Sequence, residues 1–263
     1  MIDTVNTTYL NVSFERQEVS KFLLANSGHL GNPTAVALFT QRGTQMQQGF
    51  STDGNKVNEV LSQYKIDQRS LPEAQGFYGA EERFQLSLKA LNSLVKHTAS
   101  QPGRKIIIWL SPGWPLLTDP SVNANSNVTF NAQQQQTLFS GIVNILTLLR
   151  ESRTTLYSLN SLGTVEGIGN TFNYLKYLKG VMKPAQAEPG YLALQVLAVQ
   201  SGGQALNSTG VEELLQRCMA EIQTYYELTF DGSQAERRDD YHHIEVQVAK
   251  PGVMARALQT YYG

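Results

Sequence analysis

The sequence predicts a doubly wound α/β fold: a mostly parallel sheet flanked by helices, followed by a C-terminal antiparallel β-hairpin. Three observations point there. The run Ile106–Leu110, set between Arg104-Lys105 and the turn Ser111-Pro112-Gly113, reads as a strand buried on both faces, as strands of parallel sheets are. Segments with apolar residues at steps of three and four alternate with short apolar runs, the pattern of strands joined by crossover helices. Near the end, Ile244, Val246 and Val248 alternate with Glu245, Gln247 and Ala249 before Pro251-Gly252, which has the residues of a type II turn.

Taken in order, Ile2 to Thr8 is expected to end a first strand. A helix from about Ser13 to Ala25 follows, with Val19, Phe22 and Leu23 inward and Gly28, Gly31 and Pro33 stopping it. Thr34–Thr40 is a second buried strand. Asp53-Gly54 caps a short helix carrying Val57, Val60 and Leu61, and Gln75–Gly79 forms a loop. Phe84, Leu88, Leu91 and Val95 then mark one side of a helix that delivers the chain to the central strand. Residues 118 to 130 are a polar surface loop, after which Asn131 and Gln134 have the spacing of a capping box ahead of Leu138, Ile142, Ile145, Leu146 and Leu149. Thr154–Asn160 is another strand. Residues 161 to 189 form a second excursion with a short helix around Phe172 to Leu178, and a helix from Tyr191 ends at Ser201-Gly202-Gly203. Thr209 and Glu212 suggest another capping box before Val211, Leu214, Leu215, Cys218, Met219 and Ile222. Tyr225–Phe230 returns to the sheet, and residues 241 to 263 form the hairpin, expected to extend or cover one edge of it.

A chain of 263 residues accommodates this as one domain, 1–263. Charged residues make up only 16% and the net charge is −1, which removes the basic stripe that nucleic-acid binding requires. No apolar run is long enough to span a bilayer, and the start has no basic-then-apolar leader. Met1-Ile2-Asp3 reads as the tail of a strand whose beginning is missing, as in a chain cut from a longer protein. The single cysteine, Cys218, excludes an intramolecular disulfide and reads as a small hydrophobe on a helical stripe.

The chain resembles the von Willebrand factor A-like (VWFA-related) proteins abundant in acidobacteria. The resemblance is carried by Ile2–Thr7, Glu82–Leu88, Gly103–Ile106 and Ala198–Gly203. Its most specific part is the ending, where Tyr225-Tyr226-Glu-Leu, His243-Ile-Glu-Val and Lys250-Pro-Gly-Val lead to Tyr261-Tyr262-Gly263. It implies a Rossmann-type three-layer fold and an exported protein, periplasmic or secreted. It also implies a magnesium site at the strand edge, which typical A domains build from an Asp-x-Ser-x-Ser turn, a Thr and a later Asp. Matched by position, Asp3 stands at the first Asp, Val5 and Thr7 at the two serines, and Ser111 at the later Asp, while the Thr has no clear counterpart. Val5 offers no side-chain oxygen and Ser111 no charge, so Asp3 and Thr7 are left as a vestigial metal site, a poor match to the octahedral oxygen ligation of magnesium.

Ligands of open parallel sheets bind beyond the carboxyl ends of the strands. The expected contact edge accordingly comprises Asp3 to Thr8, Gly76 to Gly79, Ser111 to Leu116 and Asn160 to Gly163. The candidates for partner binding are Asp3, Asn6, Thr7, Phe77, Tyr78, Ser111, Trp114 and Asn160. The partner class is a protein or an extracellular matrix component, and the role is non-catalytic adhesion. Trp114 has two readings: an exposed contact, or a plug in the space of the missing metal. Two alternative functions remain open. Ser111 as a nucleophile would give a hydrolase, although Leu-Ser-Pro-Gly-Trp is not a Gly-x-Ser-x-Gly elbow and no histidine is aimed at it by spacing. The Tyr-rich hairpin could instead add strand to strand with another copy. His243 and Glu245 share one side of a strand and read as surface polar residues, and Gly163–Gly169 reads as a flexible loop without phosphate-loop spacing.

Overall fold

The computed structural model describes residues 1–65, 77–115, 130–162, 174–222, 225–229, 241–253 and 255–262. Strand β1 (Ile2–Asp3) is shorter than expected. It ends because the Asp3 carboxylate accepts the backbone N–H of Val5 at 2.9 Å and of Asn6 at 3.0 Å, which turns the chain at once. Thr8 then caps helix α1 (Tyr9–Leu24) by accepting from the Asn11 N–H, so the helix opens at Tyr9 rather than Ser13. Left-handed conformations at Asn26, Ser27 and Gly28 stop it near the predicted place.

Three strands absent from the sequence reading, β2 (His29–Thr34), β4 (Gly43–Met46) and β5 (Ser51–Asp53), follow. β2 pairs antiparallel with β5, and β3 (Ala37–Thr40) forms a hairpin with β4. Asp53 caps α2 (Gly54–Gln63) as predicted. Helix α3 (Phe77–Ala99) takes in Phe77 and Tyr78, which the sequence placed in a loop. β6 (Lys105–Leu110) is the predicted central strand, and α4 (Ala132–Glu151) opens with both halves of its capping box, each bond 2.9 Å. β7 (Thr154–Asn160), α5 (Leu194–Gln200), β8 (Ala205–Asn207), α6 (Val211–Ile222), β9 (Tyr241–His243) and β10 (Thr260–Tyr262) complete the order. Helix α6 starts from the Gly210 carbonyl, which accepts from the Leu214 N–H.

The architecture is α/β, with one six-stranded sheet in the order β4-β3-β1-β6-β7-β8, parallel except for edge strand β4. Residues alternate across it, so Trp109 and Ile107 pack with α3, α4 and α5 on one face. Leu110 and Ile2 pack with α1, α2 and α6 on the other. Two expectations are corrected. The sixth strand is Ala205–Asn207, whereas residues 225–229 are exposed and unpaired in any ladder; Phe230 lies outside the described residues. The C-terminal hairpin forms a two-stranded sheet of its own instead of extending the main one. Its turn is the predicted one: Val253 N–H reaches the Lys250 carbonyl at 3.4 Å, with Gly252 at φ +74°. The ribbon lies over α4, where Tyr262 meets Phe139 edge to face at 6.0 Å and donates its hydroxyl to the Val181 carbonyl at 3.0 Å.

The order of strands decides where a site belongs. The chain winds outward from β1 to β3 and β4 on one side, and through β6, β7 and β8 on the other. The crossovers therefore diverge between β1 and β6, and a crevice opens beyond their carboxyl ends. Asp3 ends β1 and Ser111 follows β6, so the two positions singled out from sequence flank this switch point.

Candidate functional site

At the switch point the chemistry is dominated by one carboxylate. Asp3 is fully buried, and four donors take up both of its oxygens. Oδ1 accepts from the Val5 and Asn6 backbone N–H groups. Oδ2 accepts from Asn6 Nδ2 at 2.8 Å and from the indole N–H of Trp109, on the neighbouring strand, at 3.1 Å. Burial pushes the Asp3 carboxyl above its ordinary range, against these hydrogen bonds, which favour the ionised form. A carboxylate already ringed by donors has little left to offer a metal ion.

The other expected residues surround this centre unevenly. Asn6 bridges Asp3 to Ser87 of α3, its Nδ2 lying 2.9 Å from the Ser87 hydroxyl. Thr7 accepts from Asn11 Nδ2 at 3.2 Å. Ser111 is fully buried, and its hydroxyl closes its own turn, donating to the Gly113 carbonyl at 3.3 Å and accepting from the Gly113 N–H at 3.2 Å. Asn160 likewise accepts from the Leu162 N–H at 3.0 Å. Trp114 is 5% exposed and packs edge to face on Trp109 at 5.3 Å, which in turn meets Phe39 at 5.8 Å. This is the plug arrangement. Its indole nitrogen is buried without a partner among the described residues.

Asp3, Ser111 and Trp114 are thus inside the protein in this form, where a partner's surface does not reach them. Among the described residues, large apolar side chains exposed at the same edge stand at the start of two helices. Tyr9 and Leu10 open α1 at 50% and 78% exposure, and Tyr78 near the start of α3 is 83% exposed. Phe77 opens α3, but its side chain lies outside the described residues, as do Gly76, Leu116 and the segment Gly163–Gly169. The histidines lie apart from Ser111: His29 and His97 are exposed, and His242 stacks on Tyr261 of the ribbon at 4.6 Å. His243 and Glu245 are exposed, and among the described residues no three His, Cys, Asp or Glu side chains converge as metal ligands.

Sequence reasoning missed a second buried acid. Glu15 of α1 has no solvent exposure, and its Oε1 accepts the Ser161 hydroxyl from beyond β7 at 2.6 Å. Its Oε2 has no partner among the described residues. Burial pushes its carboxyl up to about 7; the Ser161 hydrogen bond opposes that rise and the Asp3 charge adds to it. The signal was present, because Val12, Glu15, Val19 and Leu23 share one helical face, and a glutamate in an apolar stripe marks a buried acid. Trp109 was legible as core but not as a donor to Asp3, since that bond depends on which strands are neighbours. No family model matches the chain, and no curated protein matches it.

Proposed function

We propose that this chain is a non-catalytic binding domain of the von Willebrand factor A type, from an exported protein, that engages another protein or a matrix component without a metal ion. The observation that carries this reading is the condition of Asp3, whose two oxygens are consumed by four internal donors. Ser111, at the place where a typical A domain carries a second carboxylate, is turned into its own loop. The aromatic pair Trp109 and Trp114 fills the crevice beside them. A surface of this kind works through exposed groups on the rim, here Tyr9, Leu10 and Tyr78, with Thr7 and Asn160 as partly exposed polar neighbours.

The test is binding to immobilised collagen, fibronectin and laminin, each with and without EDTA. Chelator-insensitive capture by at least one of them is expected, weakened about tenfold or more by Leu10→Ser combined with Tyr78→Ala. Capture that EDTA abolishes, or that the double change leaves intact, would overturn the proposal.

A further inference from the structure

The amino end of β1 opens onto a cavity of about 510 Å³ that cuts through the sheet. Val19 and Leu215 line it from the helices of one face and Leu94 and Thr98 from α3 on the other, while Ala35–Ala37 and Ile106–Ile108 form its side walls. The cavity exists because β1 is shorter than the strands on either side of it. β6 pairs with β7 over its whole length from Lys105 to Leu110, yet β1 meets it in register only at Leu110. Ile106 and Ile108 are consequently half-buried in the middle of a parallel sheet.

The walls carry hydrogen-bonding groups as well as apolar surface. Backbone groups of alternate residues in a parallel strand point to opposite neighbours. Lys105 N–H donates to Arg153 on the β7 side, whereas Ile108 O and Leu110 N–H bond to Met1, each at 2.9 Å. Ile106 C=O and Ile108 N–H are therefore directed into the slot. On the opposite wall Val36 bonds outward to Gln47 and Phe39 O bonds to Thr4 N–H, so Ala35 C=O and Ala37 N–H face the slot too. A hydrocarbon ligand would fill the volume and leave these groups unsatisfied. An extended backbone meets all four.

We propose that this slot receives an extended apolar strand of about four residues, at roughly 3.3 Å each, running parallel between β3 and β6 and leading into Met1. Met1 already sits in register with both walls, so one residue ahead of it serves Ala35 and Ala37, and the next serves Ile106 and Ile108. Side chains alternate between the Val19–Leu215 face and the Leu94–Thr98 face, and both call for apolar residues. Met1 N–H already makes the first bond of this ladder, to the Ile108 carbonyl at 2.9 Å.

The test is amide hydrogen exchange at Ala37 and Ile108 in the 263-residue chain and in two extended forms, one with four valines ahead of Met1 and one with two prolines directly before it. The valine extension is expected to slow both amides on the order of a hundredfold, and the proline extension, which cannot donate to Ala35 or Ile106, less than tenfold. Unchanged rates with the valine extension would overturn the proposal. Equal protection by a separate tetravaline peptide or by decanoate added to the 263-residue chain would do the same, since each names a different occupant.

Discussion

Glu15→Gln should stabilise this protein at pH 8 and do little at pH 5. The carboxyl titrates from an ordinary value of 4.5 when unfolded to about 7 when folded, so between those limits the folded state binds the extra proton. The stability associated with the neutral form is complete below about 4.5 and drains away as the pH rises to about 7. At ~1.4 kcal/mol per pH unit, that interval amounts to on the order of 3 kcal/mol. Glutamine keeps an oxygen for the Ser161 hydroxyl and removes the titration. Its amide nitrogen takes the place of Oε2, which has no partner to lose, so the net gain at pH 8 is about 2 kcal/mol after a modest desolvation cost. The assay is urea unfolding followed by far-ultraviolet circular dichroism at pH 5 and pH 8. A slope near 3 kcal/mol per molar urea for a chain of this size makes the expected rise in midpoint at pH 8 close to ~0.7 M. Equal pH dependence in the two proteins, or a lower midpoint for the variant at pH 8, would refute the argument.

Asp3→Asn leaves one oxygen for four donors and turns an amide toward two of them, so a loss of about 2–4 kcal/mol in urea unfolding is expected. Millimolar magnesium should move the midpoint of neither protein; a rise in the parent alone would restore a metal to this edge. Gly203→Ala would press a methyl group onto the Leu156 carbonyl, in a segment pinned by the Gly203 N–H to Ala198 and by the Ser201 hydroxyl to the Leu156 N–H. A loss of about 3 kcal/mol is expected, measured as a fall in thermal midpoint, and an unchanged midpoint would mean that the link between α5 and β8 yields.

The parts of the fold legible in the sequence were those with a local cause. Ile106–Leu110 announces a buried strand by composition, and Asn131 with Gln134 announces a helix start by spacing. β8 was missed because three residues, Ala205–Asn207, have no period of their own and become a strand only by pairing with Ser158–Asn160. Tyr225–Thr229 was misread because its residues favour strands in general, while here Tyr225 lies under Arg104 and Glu227 pairs with Arg153 at the surface. The same division runs through the site. Position placed Asp3 and Ser111 at the strand edge, but their burial comes from Trp109, Asn6 and Gly113, and that neighbourhood is set by strand order. The shortness of β1 was legible only in part, since the sequence does not say how far β6 runs past it.

The sequence contains two tryptophans, and the fold brings both to the switch point, with ring centres 5.3 Å apart. Intrinsic fluorescence of this protein therefore reports on one place. The Trp109 indole donates to a buried carboxylate, so a change in the protonation or position of Asp3 alters the emission of its nearest chromophore directly. Trp114, stacked edge-on above it, would become wet if the crevice opened, shifting the spectrum to longer wavelength. A partner seated at the rim without disturbing the interior would leave the emission maximum where it is, and one that pries the plug loose would not. The molecule carries its own optical gauge for telling these two modes of engagement apart.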